Sequence, residues 1–115
     1  MRKGDIVLIK YPFTDLSSTK VRPAIVVSSD EFTNHAEDAI FVCISSQTRN
    51  VLQSDLVFSP SDSEFRNSGL KKPSLIKIGK IFCLSKSLAS RLLGEAGPNT
   101  MARIRGKLIN ILDLS

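Results

Sequence analysis

"VRPAIVVSSDEFTNHAEDAIFVCISSQ", residues 21–47, sets two apolar, β-branched runs on either side of a polar connection. Runs rich in Val and Ile and bounded by Ser, Asp and Asn are strand sequences, and a short polar link favours antiparallel pairing. We read Arg22–Ser29 and Ala39–Ile44 as neighbouring strands joined through residues 30–38. Facing residues of an antiparallel ladder have numbers of constant sum, and a register with Ser28 opposite Ala39 makes that sum 67. Arg22 then faces Ser45. Pro23 restricts the backbone of the residue before it to extended geometry, so Arg22 enters its strand already constrained. The same rim gathers the loop Phe13–Val21 and the polar run Ser45-Ser46-Gln47-Thr48-Arg49. A planar fork of guanidinium donors beside hydroxyls and a carboxamide suits a phosphate.

Outward from this pair, Asp5–Lys10, Ser54–Phe58 and Leu75–Leu84 are also short, apolar and separated by Ser, Asp, Asn, Gly and Pro. They read as further strands. No helical period interrupts them, which predicts a mostly antiparallel small barrel or sandwich rather than βαβ crossovers. Ser85–Gly94 fits a turn of helix or another strand. In "GPNTMARIRGKLINILDL", residues 97–114, Pro98 with Asn99 or Thr100 marks a helix start. Met101, Ile104, Leu108, Ile111 and Leu112 then form one apolar stripe, with Arg103, Arg105 and Lys107 facing outward. Gly106 costs this helix about 1 kcal/mol relative to Ala.

The 115 residues suffice for one domain, 1–115, with a real core, and 42% hydrophobic content is that of a globular chain. No apolar run approaches the roughly 20 residues of a membrane span, and Met1-Arg2-Lys3 leads straight into a strand pattern, so a cytoplasmic location is expected. Cys43 and Cys83 lie in separate apolar runs without CxxC spacing and read as small buried hydrophobes. His35 is the only histidine, so neither a zinc site nor a two-histidine nuclease can be assembled within one chain. The net charge of +5 is uneven: residues 1–70 carry seven Lys or Arg against nine acids, residues 71–115 nine against two. A basic half of this kind favours a polyanionic partner, with a merely solvated surface as the plain alternative.

"GDIVLI", "PFTD", "VRPAIVVSSD" and "AIFVCISSQ", followed by "GLKKPSLIKIGKIF" and a C-terminal helix, resemble the PemK/MazF family of type II toxins over nearly the whole chain. The resemblance implies a mainly β fold with a C-terminal α-helix, an SH3-like β-barrel of the PemK/MazF/CcdB toxin type. It also implies a homodimer that cleaves single-stranded RNA at short sequences without metal or other cofactor, inhibits translation, and is held inactive by a cognate antitoxin. The arginine of the family's Arg-Pro motif corresponds to Arg22, and the hydroxyl residue closing the third strand to Ser45. The family usually has threonine at that second place; serine keeps the hydroxyl and loses the methyl that restricts χ1. Substrate contacts are expected from Thr19 and Lys20 in the first loop, from Ser46 and Gln47, and from Ser74 after Lys71-Lys72-Pro73. Tyr11 and Phe13 are candidates for base stacking or for core packing.

RNA carries its own nucleophile, the 2′-hydroxyl, so an enzyme that cuts it has to stabilise added negative charge and help move protons. Arg22 suits the first task and not that of a general base, because a guanidinium stays protonated near neutrality. The reading from a different class is a barrel that binds RNA or a protein and cuts nothing, as the related CcdB toxins use this scaffold to poison a topoisomerase.

Overall fold

The computed structural model describes residues 1–11 and 20–114. One antiparallel sheet contains β1 (Asp5–Lys10), β2 (Val21–Val26), β3 (Asp38–Ser45), β4 (Asp55–Phe58), β5 (Ser74–Ser85) and β6 (Ala89–Glu95), in the spatial order β4-β5-β3-β2-β1-β6. Helices α1 (Asp30–His35) and α2 (Pro98–Leu112) and two 3-10 turns, Arg66–Ser68 and Lys86–Leu88, complete the described elements. The expected mainly β architecture with a C-terminal helix is present, and the ambiguous stretch 85–94 resolves into a short turn followed by β6.

The sheet is coiled but open, with β4 and β6 as its edges, so "barrel" describes it only loosely. A connecting segment bridges the two edges. Phe65 packs on Phe58 of β4 with ring centroids 5.2 Å apart, and the backbone of Asn67–Gly69 then lies directly against Leu93 and Gly94 of β6. A Cβ on Gly94 would stand 2.3 Å from the Asn67 carbonyl oxygen, and one on Gly69 would stand 2.1 Å from that of Leu93. Gly69 also has φ of +76°, a left-handed conformation that glycine adopts without steric cost.

The β2–β3 ladder pairs Ala24 with Cys43, Ile25 with Val42 and Val26 with Phe41, all at the expected sum of 67. These strands read as continuous apolar runs because the sheet is covered on both faces. Ile25, Val42, Ile44, Ile76, Phe58 and Ile104 belong to a core under α2. Ala24, Val26, Phe41, Val7, Ile9 and Leu84 form a second core on the opposite face. Strand β5 serves both: Ile76 and Ile78 pack in the first, and after a register shift between its pairs with Val42 and Cys43, Leu84 enters the second.

Four expectations need correction. Residues 30–38 are not simply a polar link: α1 occupies Asp30–His35, with the Ser29 side chain accepting the Phe32 N–H at 3.1 Å. Its only buried side chain is Thr33, so it carries no apolar period to read. Cys83 is exposed rather than buried, lying on the side of β5 opposite to Phe82 and Leu84, and Cys43 is half-buried. The α2 stripe seats Ile104 fully and Met101 and Leu108 partly, while Ile111 and Leu112 are exposed because the helix outruns the core. Lys107, expected to face outward, is half-buried and donates from Nζ to the Gln53 carbonyl.

Gly97 at the N-cap of α2 has no side chain to offer. Glu64 takes that role from a distant loop, accepting the Asn99 N–H at 3.0 Å and both the N–H and the hydroxyl of Thr100 at 2.6 Å. The hydrogen bond from the Thr100 hydroxyl, assisted by the two backbone donors, holds the Glu64 carboxyl below its ordinary pKa. Among the described residues, no helix is long and apolar enough to cross a membrane.

Candidate active site

Pro23 determines where β2 and β3 part. Strand β2 pairs with β1 from Val21 to Ile25, but its ladder with β3 begins only at Ala24, one residue past a nitrogen that has no hydrogen to donate. Beyond that point the ends carrying Arg22 and Ser45 are no longer laddered to each other, and both line a cleft of about 620 Å³. The expected meeting of Arg22 and Ser45 therefore takes the form of a shared wall. Arg22 is exposed and Ser45 half-buried.

Ser45 is locally oriented. Its Oγ accepts the Gln47 N–H at 3.1 Å, which leaves the hydroxyl proton for another acceptor. Gln47 and Lys20 line the same cleft, as do Arg49, Lys77 and Lys80, so among the described residues five cationic side chains and no carboxylate border it. Among the described cleft residues Lys77 is ion-paired: Asp55, which does not line the cleft, places Oδ2 2.9 Å from its Nζ.

Tyr11, at the end of β1, borders the cleft but belongs to the second core. Its ring lies 5.2 Å from that of Phe82, which stacks at 5.6 Å on Phe41. Burial raises the Tyr11 phenol pKa above its ordinary value, interaction with Cys43 raises it further, and the nearby Arg22 charge opposes this. The phenol stays neutral at physiological pH. Phe13 lies outside the described residues.

Ser46 and Ser74 sit elsewhere. Side chains alternate along a strand, so Ser46 turns away from Ser45 into a second cleft of about 500 Å³, shared with Lys71, Lys72 and Ser74. Ser74 is buried, and its Oγ donates to the Lys72 carbonyl at 2.8 Å, a structural commitment. Lys20 and Arg22 border both clefts and stand on the ridge between them. Thr19, and the first loop apart from Lys20 and Val21, lie outside the described residues.

Sequence reading missed Cys43, Lys77 and Lys80 as cleft residues. The available signal was "LIKIGKIF": a charged residue inside an otherwise apolar strand needs either a partner or a function.

No curated protein matches the chain in sequence. Among solved structures, it is similar to an endoribonuclease in complex with its cognate antitoxin from a mycobacterial species, at 24% identity and a TM-score of 0.76, covering 100% of this chain and 97% of that one. It is likewise similar to a MazE–MazF structure from Deinococcus radiodurans, at 20% identity and TM-score 0.78 over 100% of this chain and 98% of that one. A third likeness is to the Mycobacterium tuberculosis toxin MazF-mt6, at 15% identity and TM-score 0.76 over 96% and 98%. At these identities the structures show the fold. The family match is independent of them and runs from residue 2 to residue 112, through both strands that meet at the Arg22–Ser45 cleft. With fold and sequence in agreement over nearly its full length, the chain belongs to the PemK-like, MazF-like toxins of type II toxin–antitoxin systems.

Proposed function

We propose that this chain is a metal-independent endoribonuclease that cuts single-stranded RNA as the toxin of its module. The observation that carries the reading is the cleft in which Arg22 and Ser45 share a wall that, among the described residues, is bordered by five cations and no carboxylate. Single-stranded RNA offers a regular line of phosphates, and two basic clefts joined at Lys20 and Arg22 offer it a continuous track.

In the reaction, the 2′-oxygen attacks the adjacent phosphorus and loses its proton to a base. The new 2′-O–P bond forms as the P–O5′ bond breaks, and the departing 5′-oxygen takes up a proton. The products are a 2′,3′-cyclic phosphate and a 5′-hydroxyl, and no external water or metal enters the balance. Arg22 stabilises the charge that grows on the non-bridging oxygens, where preset donors are most effective. Ser45, oriented by the Gln47 N–H, donates its hydroxyl proton to a phosphate oxygen. Lys20 and Gln47 hold the flanking RNA from the same cleft, whereas Ser46 contacts it on the far side of the ridge.

The reading extends to partners. Leu92 on edge strand β6 is 62% exposed, and Ile111, Leu112 and Leu114 are exposed at the end of α2. Such apolar surface and two open sheet edges suit a second copy of the chain, with an acidic and apolar antitoxin segment masking the basic clefts. The decisive experiment incubates pure protein with a mixed RNA pool in excess chelator and maps the new ends. Cyclic phosphate termini at recurrent sites are expected. Cleavage lost in chelator and restored by magnesium would remove the reading, and binding without cleavage would make the chain a non-catalytic member of its family.

A further inference from the structure

Lys77 is an unusual residue for its position. Its chain neighbours Ile76 and Ile78 are fully buried, and cross-strand pairing places it in one row of the sheet: Asp55, Lys77, Cys43, Ala24, Val7. The Lys77 side chain is only 15% exposed and that of Asp55 only 1%. Asp55 Oδ2 accepts both the Lys77 ammonium at 2.9 Å and the Leu52 N–H at 2.8 Å. A buried ion pair seldom stabilises a fold more than apolar side chains of the same volume would, so stability alone gives little reason for a lysine here.

Its surroundings supply another reason. Ser45 pairs with Leu75 and Cys43 with Lys77, so Ser45 and Lys77 are diagonal neighbours on one face, with Cβ atoms about 7 Å apart. Both border the same cleft. An ammonium has three donors; Asp55 engages one, which leaves two for a ligand in the cleft that Lys77 lines. Because the Asp55 carboxylate is sealed from solvent, it restrains the lysine without presenting a negative charge to a ligand.

We infer that Lys77, clamped by Asp55, is a positioning residue that holds an RNA phosphate next to the one engaged by Arg22 and Ser45. The inference rests on the RNA-cleaving function proposed above and assigns that site a residue outside the Arg22–Ser45 pair. Clamping confines the side chain before RNA arrives, so less freedom is lost on binding.

The test measures binding of mixed-sequence single-stranded RNA with 2′-O-methyl riboses, which has no free nucleophile, as a function of salt. Removing Lys77 alone strands a buried carboxylate, so the informative protein is the double variant Lys77→Met/Asp55→Asn. It is neutral at both positions and keeps an acceptor for Leu52. Thermal unfolding checks that it is folded. The expected result is weaker binding at low salt and a log–log salt dependence shallower by about 0.7, the release of one counterion from a single strand. Lys77→Arg is expected to retain the original slope. A folded double variant with unchanged slope and affinity would reduce Lys77 to a structural ion-pair partner while leaving the RNA reading intact. If the unaltered chain bound this RNA without any salt dependence, the cleft would not be an RNA site and both readings would fall.

Discussion

Arg22 owes its position to the residue after it. Pro23 ends the β2–β3 ladder, and the arginine projects where the strands separate. Replacing it with alanine is expected to lower the single-turnover cleavage rate by about 10²–10³-fold with a much smaller loss of affinity, since its contribution grows with transition-state charge. Arg22→Lys keeps the charge but loses the planar fork, and is expected to recover only part of the rate. Loss of affinity alone in the alanine variant would make Arg22 a binding residue. At Ser45 two substitutions separate the hydroxyl from its restraint. Ser45→Ala is expected to cost about 10²-fold in rate, the scale of deleting one donor to developing charge. Ser45→Thr is expected to match or exceed the native chain, because the added methyl narrows the χ1 choices of a hydroxyl already held by the Gln47 N–H. Equal rates for all three proteins would make Ser45 a turn residue. Both positions were legible in the sequence because a ladder register relates strand ends by simple counting. Lys77 was not, since its meaning depends on Asp55, 22 residues away.

At the scale of elements, three glycines make a graded test of how the edges are joined. Gly94→Ala drives a Cβ into the Asn67 and Ser68 backbone, and Gly69→Ala adds a left-handed φ to a comparable clash. Each is expected to lower stability by about 2 kcal/mol or more, measured by denaturant midpoint. Gly106 has nothing within 4 Å of its would-be Cβ, so Gly106→Ala is expected to stabilise by about 1 kcal/mol. A neutral Gly94→Ala would mean that the bridging segment does not pack on β6. The cap on α2 makes a pH prediction. The Glu64 pKa is lowered in the folded state, so its stabilisation is present above the ordinary carboxylate value of 4.5 and is lost as pH falls through the folded value. Glu64→Gln is expected to lower the Tm at pH 7, with the difference narrowing progressively below pH 4.5. A constant difference across pH would show that the charge is not what caps the helix. The start of α2 at Pro98 was readable locally, whereas its cap was not, because Glu64 lies 35 residues before Asn99. α1 escaped notice for the opposite reason: its Ser29 cap is written in the sequence, but a helix that buries only Thr33 has no period to reveal it.

For the whole molecule, the open edges and exposed apolar side chains of β6 and α2 lead to an assembly prediction. Light scattering at micromolar concentration is expected to give twice the 12.6 kDa mass of one chain. A monomer at that concentration would remove the proposed pairing of two copies through β6 and the end of α2. A mainly β chain ending in a helix, a β2–β3 pair with residue numbers summing to 67, and Arg22 and Ser45 at the same end of that pair are all legible from residue order. Those features follow from alternation, proline sterics and register, which act between neighbours along the chain or across one ladder. The open sheet bridged by residues 65–69, the separate clefts of Ser45 and Ser46, and the pairing of Asp55 with Lys77 emerge only in the folded chain. These depend on how far the sheet coils before its edges approach and on which distant side chains then meet, and no local pattern encodes either.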